Sequence, residues 1–171
     1  MEEEKLSVPY TALQKFWMLL GGGILVALLV ALLVLWPQIP EQIPGHYNAQ
    51  GEVTRYDGKG AVWIMPIIGM ILYAGLLLLS FFPQAWNTPI HVTRENRLRV
   101  LSRTRDMLCW MAVLLSALFS YIGLSMTGLV ELGAWFLPVE LLLVFGLLIW
   151  GVVRVVRAGK PRGPSQERDA R

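Results

Sequence analysis

The stretch 16-FWMLLGGGILVALLVALLVLW-36 runs for 21 residues without a charged side chain. As a helix it would rise about 30 Å at 1.5 Å per residue, which matches the hydrocarbon core of a bilayer. Three more runs of the same character follow, at about residues 61–82, 107–129 and 134–156. A backbone in lipid has to satisfy its hydrogen bonds internally, and no alternating strand pattern suggests a barrel, so all four runs read as helices. The fold class expected is an all-α integral membrane protein: four transmembrane helices, with an ordered extracytoplasmic loop between helices 1 and 2. The membrane domain takes residues 1–156 and leaves no room for a soluble one, in keeping with a hydrophobic content of 55% in 171 residues. Residues 157–171, rich in Gly, Pro and charge, read as a disordered cytoplasmic tail.

Lys15 before the first run gives it the look of a signal peptide, but no small-x-small cleavage pattern closes it, so it reads as a retained span. Orientation follows from where Lys and Arg lie. Lys5 and Lys15, then Arg94, Arg97, Arg99, Arg103 and Arg105, then Arg154, Arg157, Lys160, Arg162, Arg168 and Arg171 put thirteen on one side. Only Arg55 and Lys59 fall on the other. The expectation is a multi-pass protein of the bacterial cytoplasmic membrane with both termini inside. The net charge of +3 is then a topology signal and gives no reason to expect a nucleic-acid partner.

Within the spans, Gly23, Ala27 and Ala31 recur every four residues, as do Ala112, Ser116 and Ser120. Such stripes allow close approach of helices, here other spans or a second copy of the chain. The single cysteine, Cys109, can make no internal disulfide and reads as a small core hydrophobe. Between spans two and three, residues 83–106 open on a proline-bounded turn. From Thr93 a basic helix is expected, with Thr93 as its cap and Asn96 three positions on. Its arginines, Arg94, Arg97, Arg99, Arg103 and Arg105, suit either anionic head groups of the bilayer or a cytoplasmic regulator.

Glu140 is the ionisable residue at membrane depth, where a charge costs roughly 2.5–3.5 kcal/mol, so it is a functional candidate. It either pairs with Arg55 or Lys59 of the outer loop, or stays protonated or watered without touching the loop.

That loop, 37-PQIPEQIPGHYNAQGEVTRYDGKG-60, is far longer than a helix hairpin needs. Its prolines favour extended geometry, and Gly51 and Gly58 offer turns with positive φ. The interleaved Ile39, Ile43, Tyr47, Val53 and Tyr56 argue for an ordered cap. His46, Asn48, Gly51, Glu52, Arg55 and Lys59 are its ligand-binding or loop-structuring candidates. His46 with Glu52 or Asp57 lacks the spacing of a metal site, and no nucleophile motif is present, so neither metal, other cofactor nor catalytic residue is expected.

The positions Pro37, Pro40, Ile43, Pro44, His46, Asn48, Gly51, Arg55 and Lys59 resemble the signature of the bacterial membrane family known as domain of unknown function 1648, which also occurs in SdpI-type immunity proteins. The resemblance covers about residues 16–82, and Thr54 stands where the family often has an acid. It implies a non-enzymatic protein whose outer loop binds or senses an extracytoplasmic ligand, with immunity or signalling against a peptide toxin as its service. Two other readings stay open from the residues alone: a small transporter or channel subunit using Glu140, and a metal-dependent membrane enzyme.

Overall fold

Four helices long and apolar enough to cross a membrane form the body of the chain in a computed structural model that describes residues 8–161. They make it a multi-pass membrane protein. Lys5, Arg162, Arg168 and Arg171, and the tail beyond residue 161, lie outside the described residues. The first helix, α1, spans Ala12–Leu35. It starts before the apolar run because Thr11 and Gln14 form a capping box, each side chain bonded to the other's backbone N–H at 3.1 Å. The hairpin of β1 (Gln42–Tyr47) and β2 (Val53–Gly58) follows, adding a small antiparallel sheet to the helical body.

After a 3-10 turn, α2 runs over Ile64–Phe81, with Pro66 in its first turn where an amide donor is not needed. Pro83 then prevents further winding. The long helix α3, Arg97–Ser125, is preceded by reciprocal bonds between Thr93 and Asn96, at 2.8 Å from the Thr93 amide and 3.3 Å from that of Asn96. Regular helix therefore begins four residues after Thr93. The basic segment from Arg97 is the start of α3 itself, continuous with the third span. The last helix, α4, covers Phe136–Gly159, so Arg157 to Gly159 are helical where a disordered tail was expected. Pro138 sits in the first turn of α4 and leaves no intrahelical bond unmade.

The helix α3 packs against all three others. Ala112 and Ser116 are fully buried on it and Ser120 nearly so. On α1 the stripe meets no other span and faces outward, the side open to a second copy: Gly23 and Ala27 are exposed, Ala31 is half-buried, and nothing lies within 4 Å of a Cβ placed at Gly23. The glycine that brings helices together is Gly21, where a Cβ would stand 3.1 Å from the Tyr73 ring and 3.5 Å from the Ala112 backbone. Gly21 shares its face with Met18, Leu25, Leu28 and Leu32, all buried. A three-in-a-row glycine run cannot reveal which member meets a neighbour, because phase depends on the larger side chains around it.

One of the five arginines between spans two and three departs from the expected surface role. Arg105 is 2% exposed. Its Nη1 donates to the Val8 carbonyl at 2.6 Å and its Nε to the Ser80 carbonyl at 3.3 Å, while its guanidinium lies 4.0 Å from the Tyr10 ring centre and 5.4 Å from that of Trp86. The Tyr10 hydroxyl is also 2.6 Å from Ser80 Oγ. Arg105 thus joins the segment before α1 to the end of α2. Each buried carbonyl left unpaired costs about 1–3 kcal/mol. Arg105→Ala should accordingly lower the thermal unfolding midpoint in detergent, by the equivalent of about 2–4 kcal/mol. Arg94→Ala, at an exposed position, should leave that melt unchanged.

Candidate functional site

The repeat QIPEQIP sets the course of the chain as it leaves α1. Each isoleucine precedes a proline, which disfavours helix at the isoleucine, and Ile39 accordingly has extended backbone, φ −69° and ψ 128°. Ile39 and Ile43 are both buried, in a cluster with Leu28 and Leu32 of α1, Val62 and Met126. These two side chains fix the root of the hairpin to the bundle. Tyr47 adds a bond from its hydroxyl to the Ser125 carbonyl at 3.4 Å.

The strands pair Gln42 with Gly58, Ile43 with Asp57, Pro44 with Tyr56, His46 with Arg55 and Tyr47 with Val53. Gly45 and Thr54 are the extra residues at the two register shifts. Thr54 is tied to His46 twice. Its hydroxyl donates to the His46 carbonyl at 3.3 Å and lies 2.6 Å from His46 Nδ1. Thr54 is thus a neutral hydrogen-bonding partner for the histidine.

Asn48 builds the turn. Its Oδ1 accepts from the amides of Gln50 at 3.0 Å and Glu52 at 2.9 Å, and its Nδ2 donates to Glu52 Oε2 at 2.8 Å. An asparagine side chain that mimics a backbone turn in this way favours the bend locally. Gly51 completes it at φ 80° and presses on the α3–α4 connection, where a Cβ would meet the backbone of Leu132, Gly133 and Ala134. Gly58, by contrast, has φ −65° and open space around it, so it is not the second left-handed turn that the sequence suggests.

The two cations of the loop have local partners. Arg55 Nη2 is 2.9 Å from Asp57 Oδ2, and its Nε donates to Asp57 Oδ1 at 3.0 Å. The Lys59 amine is 3.7 Å from Glu41 and 4.7 Å from the centre of the Trp36 ring. Neither ion pair involves Glu140, which is half-buried on α4 and makes no ion pair among the described residues. Of the two arrangements open for Glu140, the one without an ion pair to the loop is found, and the loop is seated by apolar burial and the Gly51 contact. Burial of Ile39 and Ile43 needs no charge at membrane depth.

The hairpin brings His46, Asn48, Gly51, Glu52 and Arg55 together, with Lys59 at its base. Among the described residues no cluster of three His, Cys, Asp or Glu could hold a metal ion. His46, Thr54, Arg55 and Tyr56 are exposed, Tyr56 to 61%. Thr54 was not among the candidates, and Tyr56 was counted only as an ordering residue. Period-two alternation about Val53 would have pointed Thr54 and Tyr56 the same way.

At this point the chain can be set beside known proteins. Residues 23–70 match the family model DUF1648, a domain of unknown function. The match takes in most of α1, the whole hairpin and the start of α2, so the DUF1648 segment coincides with the hairpin and the two helices that carry it. No curated protein and no solved structure matches the chain.

Because Gly51 combines positive φ with backbone on its far side, Gly51→Ala should loosen the hairpin from the α3–α4 connection at a cost above the roughly 1 kcal/mol of left-handed strain alone. Limited proteolysis in detergent should cut the 48–52 turn faster in this variant, and Gly58→Ala should be cut at the native rate.

Proposed function

We propose that the chain is a non-enzymatic protein of the bacterial cytoplasmic membrane, with its basic end inside and its hairpin outside. In this reading the hairpin binds an extracytoplasmic ligand, a secreted peptide, and thereby gives SdpI-like protection or signals the peptide's presence. The observation that carries the reading is the way the hairpin is held. Ile39, Ile43 and Gly51 tie it to the bundle, while Thr54, Arg55 and Tyr56 on β2 are all exposed. A rigid strand with an open edge can accept an extended peptide as a further strand, with neighbouring side chains reading its sequence. The distribution of Lys and Arg supports the orientation, and the DUF1648 match over the hairpin supports its being the working part.

The test is growth of a toxin-sensitive bacterium that expresses the chain, challenged with the secreted peptide toxin of an SdpI-type system. Wild type should protect. Protection should fall at least tenfold in His46→Ala, Asn48→Ala or Lys59→Ala at equal amounts of protein in the membrane. No protection by wild type, or full protection by all three variants, would remove the reading.

A further inference from the structure

At the end of the bundle opposite the hairpin, the segment before α1, the first turns of α3 and the last turns of α4 border an open cleft of about 950 Å³. Four arginines line it, Arg99 and Arg103 from α3 and Arg154 and Arg157 from α4, with one carboxylate, Asp106. Asp106 is already served from within. It accepts from Gln14 Nε2 at 2.7 Å and from Arg103 Nη1 at 3.0 Å, and Arg154 Nη2 stands 4.0 Å away. Arg99 is also engaged, donating to the carbonyls of Ala158 at 3.2 Å and Lys160 at 3.3 Å. Carbonyls are neutral, so these bonds leave the charge of Arg99 uncompensated. Among the described residues, four cations against one anion leave the cleft lining with a net charge of three.

The most available cations are Arg157, which is exposed and whose side chain makes no hydrogen bond or ion pair among the described residues, and Arg103, whose side chain is 46% exposed despite its bond to Asp106. Beside them on the rim stand two large apolar side chains, Leu13 at 58% exposure and Leu98 at 61%. A site for a small soluble anion has no use for exposed leucines. An amphiphile with an anionic head does, and the cleft sits where α1 and α4 reach one end of their spans. Basic side chains beside a membrane exit attract anionic lipid, and a cleft of this volume has room for a head group.

We propose that the cleft binds the phosphodiester head group of an anionic phospholipid, with Arg103 and Arg157 on the phosphate and the first acyl carbons against Leu13 and Leu98. The full chain in mild detergent, titrated with phosphatidylglycerol and separately with phosphatidylcholine under native mass spectrometry, tests this. Phosphatidylglycerol should bind at least tenfold more tightly. Arg103→Gln combined with Arg157→Gln should abolish that preference, at about fivefold for each arginine removed, and Arg94→Gln, outside the cleft, should keep it. Should the double variant fail to fold, Arg157→Gln alone disturbs no internal bond and should still lose about fivefold. Inorganic phosphate at millimolar concentration should not displace the lipid. Equal binding of the two lipids, an undiminished preference in Arg157→Gln, an equal loss in Arg94→Gln, or displacement by phosphate, which would mark a free-anion site, would each overturn the proposal.

Discussion

The last carbonyls of a helix have no donor within it, and in this chain the ends of α2 and α4 are both met from α3. Arg105 takes the Ser80 carbonyl of α2, and Arg99 takes the Ala158 carbonyl of α4. Trp86 Nε1 adds a bond to Leu79 at 2.8 Å. A cation at a helix C-terminus also complements the dipole. Arginine suits both places, because its planar fork can bond one helix end while its charge or its face meets something else. From Arg105 the connection continues to Val8, and from its neighbour Asp106 to Gln14 at the start of α1. Three helix ends and the segment before α1 are thus gathered by successive turns of one helix.

This arrangement explains why α4 can be so lightly packed. Its buried residues are Phe136, Gly151 and Val155, and most of its other apolar side chains face outward, as lipid permits. Contact with α3 is concentrated where Met107 lies against Gly151 and where Trp110 stacks on Trp150 at 4.2 Å, with Arg154 over both rings. Lipid offers no hydrophobic drive for helices to associate, so close packing and polar contacts at a few places decide the assembly. The hairpin obeys the opposite logic. At its end of the bundle Ile39 and Ile43 leave the chain's polar segment and join a cluster made by α1, Val62 and Met126, while the hairpin's hydrogen bonds run mostly between its own residues, with Tyr47 reaching the Ser125 carbonyl.

The two ends of the molecule are therefore built for different work. At one end, an exposed strand and a turn are held rigid by Asn48 and Gly51. At the other, an excess of cations borders a cleft with an apolar rim. Among the described residues the four helices between them offer no metal cluster, and the acid they pair, Asp106, belongs to the cleft.

The four spans were legible from composition alone, since a 20-residue apolar run has few alternatives to a helix in lipid. The long loop and its order were legible from proline spacing and interleaved apolar residues, and the reciprocal Thr93–Asn96 pair from its own pattern, although the helix is capped at Asn96 and not at Thr93. The same pattern at Thr11 and Gln14 was available and marks the true start of α1. What the sequence could not show is which residues face one another. Gly21 rather than Gly23 meets α3, the loop pairs as strands with extra residues at Gly45 and Thr54, and Arg105 is buried while Arg94 is not. Local sequence determines whether a segment winds, turns or extends, because those preferences act within a few residues. Facing, pairing and burial were decided only in the tertiary structure, because they depend on donors and surfaces that lie tens of residues away along the chain.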